Sequence, residues 1–284
     1  MANITFLGTG LLGSAFAEAA AKRGDTVSAW NRSPDKLQAL THFGIKAAAT
    51  PADAVRGATR VHLILKDDAA IEAVIAAARP GLAADTILID HSTTLPRLTA
   101  ERAARLQAEG LHYLHCPVFM GPAAARQGLG SMLAAGPKAL FERVQGELAK
   151  MTGRLEYLGE RPDLAAVNKL LGNTMLIGSW AVIADVLTLA RAGGVGAEDA
   201  IKLLGLLDMN NVVALRGGNM AKGNFAPSFE LAMARKDVGL MLEATGELPL
   251  ATLPSIAARM DQLLAAGHGA DDASVLGIDA VGRR

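Results

Sequence analysis

Cysteine is almost absent: among 284 residues only Cys116 carries a thiol. One thiol excludes an internal disulfide and fits a cytoplasmic, reducing compartment. Excess charge of either sign is missing too, since 28 Lys and Arg balance 28 Asp and Glu. Nothing electrostatic therefore points to nucleic acid or an anionic membrane, and a small molecule is the expected partner. No internal repeat indicates a solenoid, and the alanine and glycine are spread over periodic segments rather than low-complexity tracts. No charged segment followed by an apolar core opens the chain, so no signal peptide is expected. His115 and Cys116 have no partners at metal-ligand spacing, so strand-end packing is expected for both and no metal site.

What is present begins at once. The apolar run Asn3–Leu7 reads as a buried parallel strand, followed by Gly8-Thr9-Gly10-Leu11-Leu12-Gly13 and an alanine-rich helix over Ser14–Lys22, closed by Gly24. G-x-G-x-x-G between a strand and a helix is the fingerprint of dinucleotide binding. The first glycine permits a tight turn, the second lets backbone approach a pyrophosphate, and the third lets helix and strand pack closely. The helix N-terminus then presents free N–H groups and partial positive charge to the phosphates. At the end of the second strand, Thr26–Trp30, an acidic residue is lacking where a ribose 2′-hydroxyl would be bound. Asn31, Arg32 and Ser33 stand there instead. A guanidinium pairs with a 2′-phosphate that a carboxylate would repel, so NADP(H) is expected over NAD(H). The competing reading leaves Arg32 a solvated loop charge.

At this length two domains are expected. Strands read at Arg60–Leu65, Thr86–Asp90, Tyr113–His115, Gly130–Ala134 and Leu155–Leu158, with helices at Ala69–Ala78, Leu98–Ala108 and Pro137–Met151. This alternation predicts an α/β, Rossmann-type doubly wound sheet over residues 1–161, with ligands at the carboxyl ends of the strands. From residue 162 to 284 the strand signals stop and an all-α substrate and dimerisation domain is expected, joined through a long helix over Leu164–Arg191. At 1.5 Å per residue that helix would span ~42 Å. Its charges and glycines argue against a membrane span, and a helix apolar nearly all round is expected at a homodimer or homotetramer interface.

On that helix Lys169 is an isolated charge on an apolar face, with Asn173 one turn on and Leu176 and Trp180 continuing the stripe as an apolar wall for a substrate or a partner. A desolvated lysine serves as an acid–base group, whereas a lysine in a first turn also snorkels to water; the residues alone leave both open.

Taken together, these segments resemble the β-hydroxyacid dehydrogenase family, which includes 3-hydroxyisobutyrate and 6-phosphogluconate dehydrogenases. The glycine loop resembles the family's cofactor loop. Asp90-His91-Ser92-Thr93-Thr94-Leu95-Pro96 matches its D-x-S-T-x-x-P segment, Lys169 with Asn173 its catalytic lysine and asparagine, and Lys236-Asp237-Val238-Gly239-Leu240 its late K-D-x-x-L motif. The resemblance implies a nicotinamide near Thr93, with Ser92 at the substrate, Leu65 and Lys66 bordering the cofactor, and Lys236 reaching back to it. One segment departs. Where the family carries an acidic residue, Pro-Val and Ser-Gly-Gly, this chain has His115-Cys116-Pro117-Val118-Phe119-Met120-Gly121. Losing the serine hydroxyl to Phe119 and a glycine to Met120 weakens carboxylate binding and favours a smaller or more apolar substrate; Gly121 keeps a backbone donor, and Arg126 is either a replacement charge or a surface residue. The expected activity is hydride transfer between NADP(H) and a small hydroxyacid, aldehyde or ketoacid, with Lys169 as acid–base and Asn173 orienting it. The alternatives are an imine reductase with an apolar pocket and a redox-silent NADPH-binding protein.

Overall fold

The computed structural model describes residues 3–281. Its contacts divide the chain into two units, Met1–Asn173 and Thr174–Arg284, parting inside the long helix.

The first unit opens with β1 (Asn3–Leu7), α1 (Leu11–Lys22), β2 (Thr26–Trp30), α2 (Asp35–Thr41), β3 (Lys46–Ala47) and α3 (Pro51–Val55). It continues with β4 (Arg60–Leu63), α4 (Asp68–Ala78), β5 (Ile87–Asp90), α5 (Pro96–Ala108) and β6 (His112–His115). These strands form one parallel sheet in the order β3-β2-β1-β4-β5-β6. The winding reverses between β1 and β4, the point at which such sheets open a crevice for a ligand. Alternate residues face opposite sides. Phe6, Ile87 and Ile89 pack with Phe16 of α1, while Leu7, Val61, Leu63 and Leu88 pack with Ile71 of α4 and Leu106 of α5. Both faces are covered, which is why these strands read as continuous apolar runs.

The later strands do not extend this sheet. After β7 (Val118–Phe119) and α6 (Pro122–Arg126), β8 (Ser131–Ala134) turns back antiparallel to β7. Following α7 (Lys138–Leu148), β9 (Arg154–Tyr157) pairs parallel with β8. The strands expected at Gly130–Ala134 and Leu155–Leu158 thus belong to a separate mixed sheet. The link between β7 and β8 carries only a five-residue helix, and a reversal needs no crossover.

α8 (Leu164–Ala192) runs as one helix. Beyond its first turns the second unit is helical, as expected: α9 (Ala197–Leu204), α10 (Met209–Val212), α11 (Gly218–Ala221), α12 (Leu231–Thr245) and α13 (Leu253–Ala265). Its core sets Leu231, Ala234 and Val238 of α12 against Ala257, Met260 and Leu263 of α13. Asp185 of α8 caps α13 from outside. Its carboxylate accepts the N–H groups of Ala251, Thr252 and Leu253 at 2.5, 2.8 and 2.9 Å and the Thr252 hydroxyl at 2.6 Å. Burial opposes that charge, but the donors outweigh it and hold the carboxyl below its ordinary range. By length and composition α8 alone among the described residues is long and apolar enough to cross a membrane, with mean hydropathy 1.5.

Candidate active site

The glycine loop joins β1 to α1 at the reversal of the sheet. Gly8 adopts φ +100°, and a β-carbon there would lie 2.2 Å from the Ile64 carbonyl oxygen. A β-carbon on Gly13 would lie 2.0 Å from the Gly8 carbonyl oxygen. Gly10, in contrast, faces open space, with nothing within 4 Å of where its β-carbon would stand. Packing therefore demands the outer glycines, and the middle one leaves room for a ligand against the backbone. α1 begins at Leu11, earlier than the expected Ser14, so exposed Leu11, half-buried Leu12 and Gly13 form its first turn. No side chain caps that turn, so its first N–H groups lack an intrahelical partner. The Thr9 hydroxyl is buried without a partner among the described residues. An open cradle, an uncapped helix N-terminus and an orphaned hydroxyl together fit a dinucleotide pyrophosphate.

The rim of this crevice is braced by side chains expected to bind ligand. Asn31 accepts from the Thr9 N–H at 3.1 Å and donates to the Ser33 carbonyl at 3.0 Å, so its amide holds the loop in place. Arg32 and Ser33 beside it are exposed. Leu65 donates its N–H to the Ser92 hydroxyl at 3.0 Å, and Ser92 donates its own N–H to Asp90 at 2.9 Å. Ser92, expected at the substrate, is buried and ties the end of β4 to the end of β5. Thr93 is exposed beside it, as is Lys66, which approaches Asp67 at 3.7 Å.

Beneath these strand ends lies a buried polar network that sequence reasoning missed. Arg102, fully buried on α5, donates to Asp68 at 2.6 Å, Glu72 at 2.8 Å and the Tyr113 hydroxyl at 3.4 Å. Tyr113 donates to Asp90 at 2.9 Å, and burial pushes its hydroxyl well above its usual range. Beside it, His91 Nδ1 meets the Cys116 carbonyl at 2.7 Å, and its Nε2 meets His62 Nδ1 at 2.9 Å. His115 Nε2 reaches the Ser92 carbonyl at 3.0 Å. Burial lowers all three histidines, His91 to about 4, and raises the Cys116 thiol. His115 and Cys116 thus pack at the strand end, as expected.

Lys169 lies where α8 crosses β7. It is only 9% exposed. Its ammonium donates to the Val118 carbonyl at 2.8 Å and stands 4.0 Å from the centroid of the Phe119 ring. No carboxylate pairs with it among the described residues, and desolvation lowers its pKa. The snorkelling alternative is thereby excluded in this structure. Half-buried Asn173 follows one turn on. Met120 packs partly against the core, and exposed Gly121 precedes α6. Arg126 belongs to the surface, where it pairs with Glu18 at 2.7 Å. Trp180 and Lys236 lie on the second unit; Trp180 is 63% exposed and Lys236 stands 3.0 Å from Asp237.

Two family models match. Residues 3–159 match the NAD-binding domain of 6-phosphogluconate dehydrogenase, and residues 165–277 the NAD-binding segment of NADP-dependent 3-hydroxyisobutyrate dehydrogenase. The chain is 28% identical to 3-sulfolactaldehyde reductase of Escherichia coli over 97% of its own length and 95% of that protein. It is 29% identical to the cytokine-like nuclear factor N-PAC of Xenopus tropicalis over 84% of its length, spanning 45% of that longer protein. Among solved structures, a reductive aminase from Aspergillus terreus in complex with NADPH4, cyclohexanone and allyl amine superposes with a TM-score of 0.89 at 25% identity, covering 98% of this chain and 99% of that one. The chain belongs to the β-hydroxyacid dehydrogenase family of NAD(P)-dependent dehydrogenases and reductases.

Proposed function

We propose that this protein is an NADP(H)-dependent reductase of small carbonyl compounds, reversible as a hydroxyacid dehydrogenase, with Lys169 as the acid–base group. The observation that carries the reading is Lys169 itself: a buried ammonium with a carbonyl, an aromatic face and, among the described residues, no carboxylate paired with it. Such a group has its pKa lowered toward the range in which a proton is readily given and taken. The Gly8–Gly13 loop and the first turn of α1 hold the pyrophosphate, and exposed Arg32 and Ser33 bind the 2′-phosphate, which is the basis for NADP(H) over NAD(H). Asn31 fixes the loop, Leu65 and Lys66 border the cofactor, and Thr93 lies near the nicotinamide with Ser92 bracing it from below. When bound, the cofactor supplies the hydride. Lys169 gives its proton to the carbonyl oxygen as the alcohol forms and takes it back in the oxidation direction, while Asn173 orients substrate and lysine. Lys236 and Trp180 are assigned to cofactor and substrate contact respectively.

Similarity to the reductive aminase supports imine reduction as a second reading, and apolar Phe119 and Met120 agree with it. The ammonium of Lys169 argues the other way, because a cationic iminium beside a second buried cation is repelled. We assign the protein to the cytoplasm on its lone buried thiol, and we assign it a homo-oligomeric state on α8, whose Met175, Ile177 and Trp180 are 59, 57 and 63% exposed.

The test follows NADPH oxidation over short aldehydes, 2- and 3-ketoacids and cyclic imines, for wild type and Lys169→Ala. A carbonyl turnover that falls at least ~100-fold in the variant, with NADPH affinity retained, is expected. Turnover of imines alone, or of carbonyls at the wild-type rate in the variant, refutes the assignment.

A further inference from the structure

Phe119 and Gly172 are 53 positions apart in the chain, yet they form one contact around Lys169. β7 pairs Phe119 with Ser131 and so fixes its backbone. The ring then lies across α8, with the Lys169 ammonium 4.0 Å from its centroid and its far edge against Gly172. A β-carbon on Gly172 would stand 2.3 Å from Phe119 Cζ and 2.6 Å from Cε1. The ring therefore fits only because residue 172 has no side chain. The remaining hydrogen-bond partner of the ammonium is neutral, the Val118 carbonyl at 2.8 Å.

We propose that Phe119 is a positioning and selecting residue, resting on the reductase reading of Lys169: its ring holds the ammonium and occupies the side on which an anionic substrate group would be paired. The face of an aromatic ring carries negative potential, so it attracts the ammonium and repels a carboxylate. The ring also offers no donor to a carboxylate that has left water. The substrates so selected are uncharged aldehydes and ketones, and an added carboxylate is penalised. Lys169 keeps its place without a counter-ion, which leaves its proton available to the substrate oxygen rather than committed to an ion pair.

Two measurements on the NADPH complex test this. First, kcat/KM is compared for butanal and succinic semialdehyde, which differ by a carboxylate. Wild type is expected to favour butanal at least ~10-fold, and Phe119→Ser to reduce that ratio at least ~10-fold, chiefly through KM for the semialdehyde. A wild-type preference for the semialdehyde, or a ratio unmoved by Phe119→Ser, overturns the selecting role. Second, Lys169 is titrated by NMR of [13C]-methylated lysines, its signal identified by loss in Lys169→Arg. Phe119→Leu keeps the site apolar but removes the π face, so the Lys169 pKa is expected to fall by about half a unit or more. Gly172→Ala, which displaces the ring, is expected to do the same, and the double variant to add nothing further. An unmoved titration overturns the positioning role. If no carbonyl is reduced by any variant while the titration moves as expected, the reductase reading falls and with it the selecting role, but the positioning role stands.

Discussion

The three buried histidines beneath the strand ends make the stability of the first unit fall in mild acid. The Cys116 carbonyl only accepts, so His91 Nδ1 carries the proton in its bond to that oxygen. His91 Nε2 then accepts from His62 Nδ1, so both rings are neutral in the folded chain. Charging His91 protonates the accepting Nε2 and breaks the pair, and burial lowers His91 to about 4 and His62 well below its ordinary value. An unfolded histidine titrates near ~6.5. A group whose folded pKa is depressed stabilises the fold above its unfolded pKa, and this stability is lost as pH falls toward the folded one. Between about pH 7 and pH 5 His91 alone removes about 2 kcal/mol, and His62, lowered well below its ordinary value, acts in the same direction. His115 acts in the same direction. The depressed glutamates of the first unit, Glu18 and Glu147, lose most of their contribution below about pH 5, so they leave most of this window to the histidines.

The assay is urea unfolding followed by tryptophan fluorescence. Only two tryptophans exist, so in Trp180→Phe the signal comes from Trp30 on β2 and reports the first unit. His91→Gln keeps a donor for the Cys116 carbonyl and removes one titration, so its loss between the two pH values should be smaller than that of its parent by about 2 kcal/mol. A parent that loses less than about 1 kcal/mol, or a His91→Gln slope equal to the parent's, refutes the neutral-pair assignment.

Three further outcomes are expected. Asp185→Ala strips four hydrogen bonds from the start of α13 and should lower the stability of the second unit by about 2–4 kcal/mol, read as a lowered melting temperature. Arg32→Asp should lower the preference for NADPH over NADH, measured as a ratio of Kd values, at least ~10-fold. Gly10→Ala should melt close to wild type yet bind cofactor more weakly, whereas Gly13→Ala, whose β-carbon meets a backbone carbonyl at 2.0 Å, should lose both stability and binding.

Much of this molecule was legible because the requirements were local. Gly8 and Gly13 are demanded by atoms close to the loop, Gly10 leaves open space beside the backbone, and a strand before and a helix after them are read within a few residues. Lys169 stood out as a lone charge on an apolar helix. The network under the site was not legible, because Arg102 finds Asp68 and Glu72 about one βαβ unit earlier in the chain, and nothing in an α5 arginine announces burial. The sequence leads one to expect Asn31 and Ser92 at the site, but it does not reveal that their polar atoms hold Thr9 and Leu65. The mixed sheet escaped for a related reason: two-residue β7 is too short to show a period.

The departing segment shows most clearly what separates the two kinds of information. In sequence, Phe119 reads as the loss of a hydroxyl, and Gly172 as one more small residue in an apolar helix. In the structure neither is independent, since the ring at 119 occupies the volume that a side chain at 172 would fill. The bulky residue also leaves Lys169 buried and oriented, because its π face lies against the ammonium while the Val118 carbonyl holds the other side. A change that removes a donor for carboxylates therefore leaves the Lys169 ammonium buried and held. It sets an aromatic face beside the lysine, and the chemistry of that face is what the butanal and semialdehyde comparison reads.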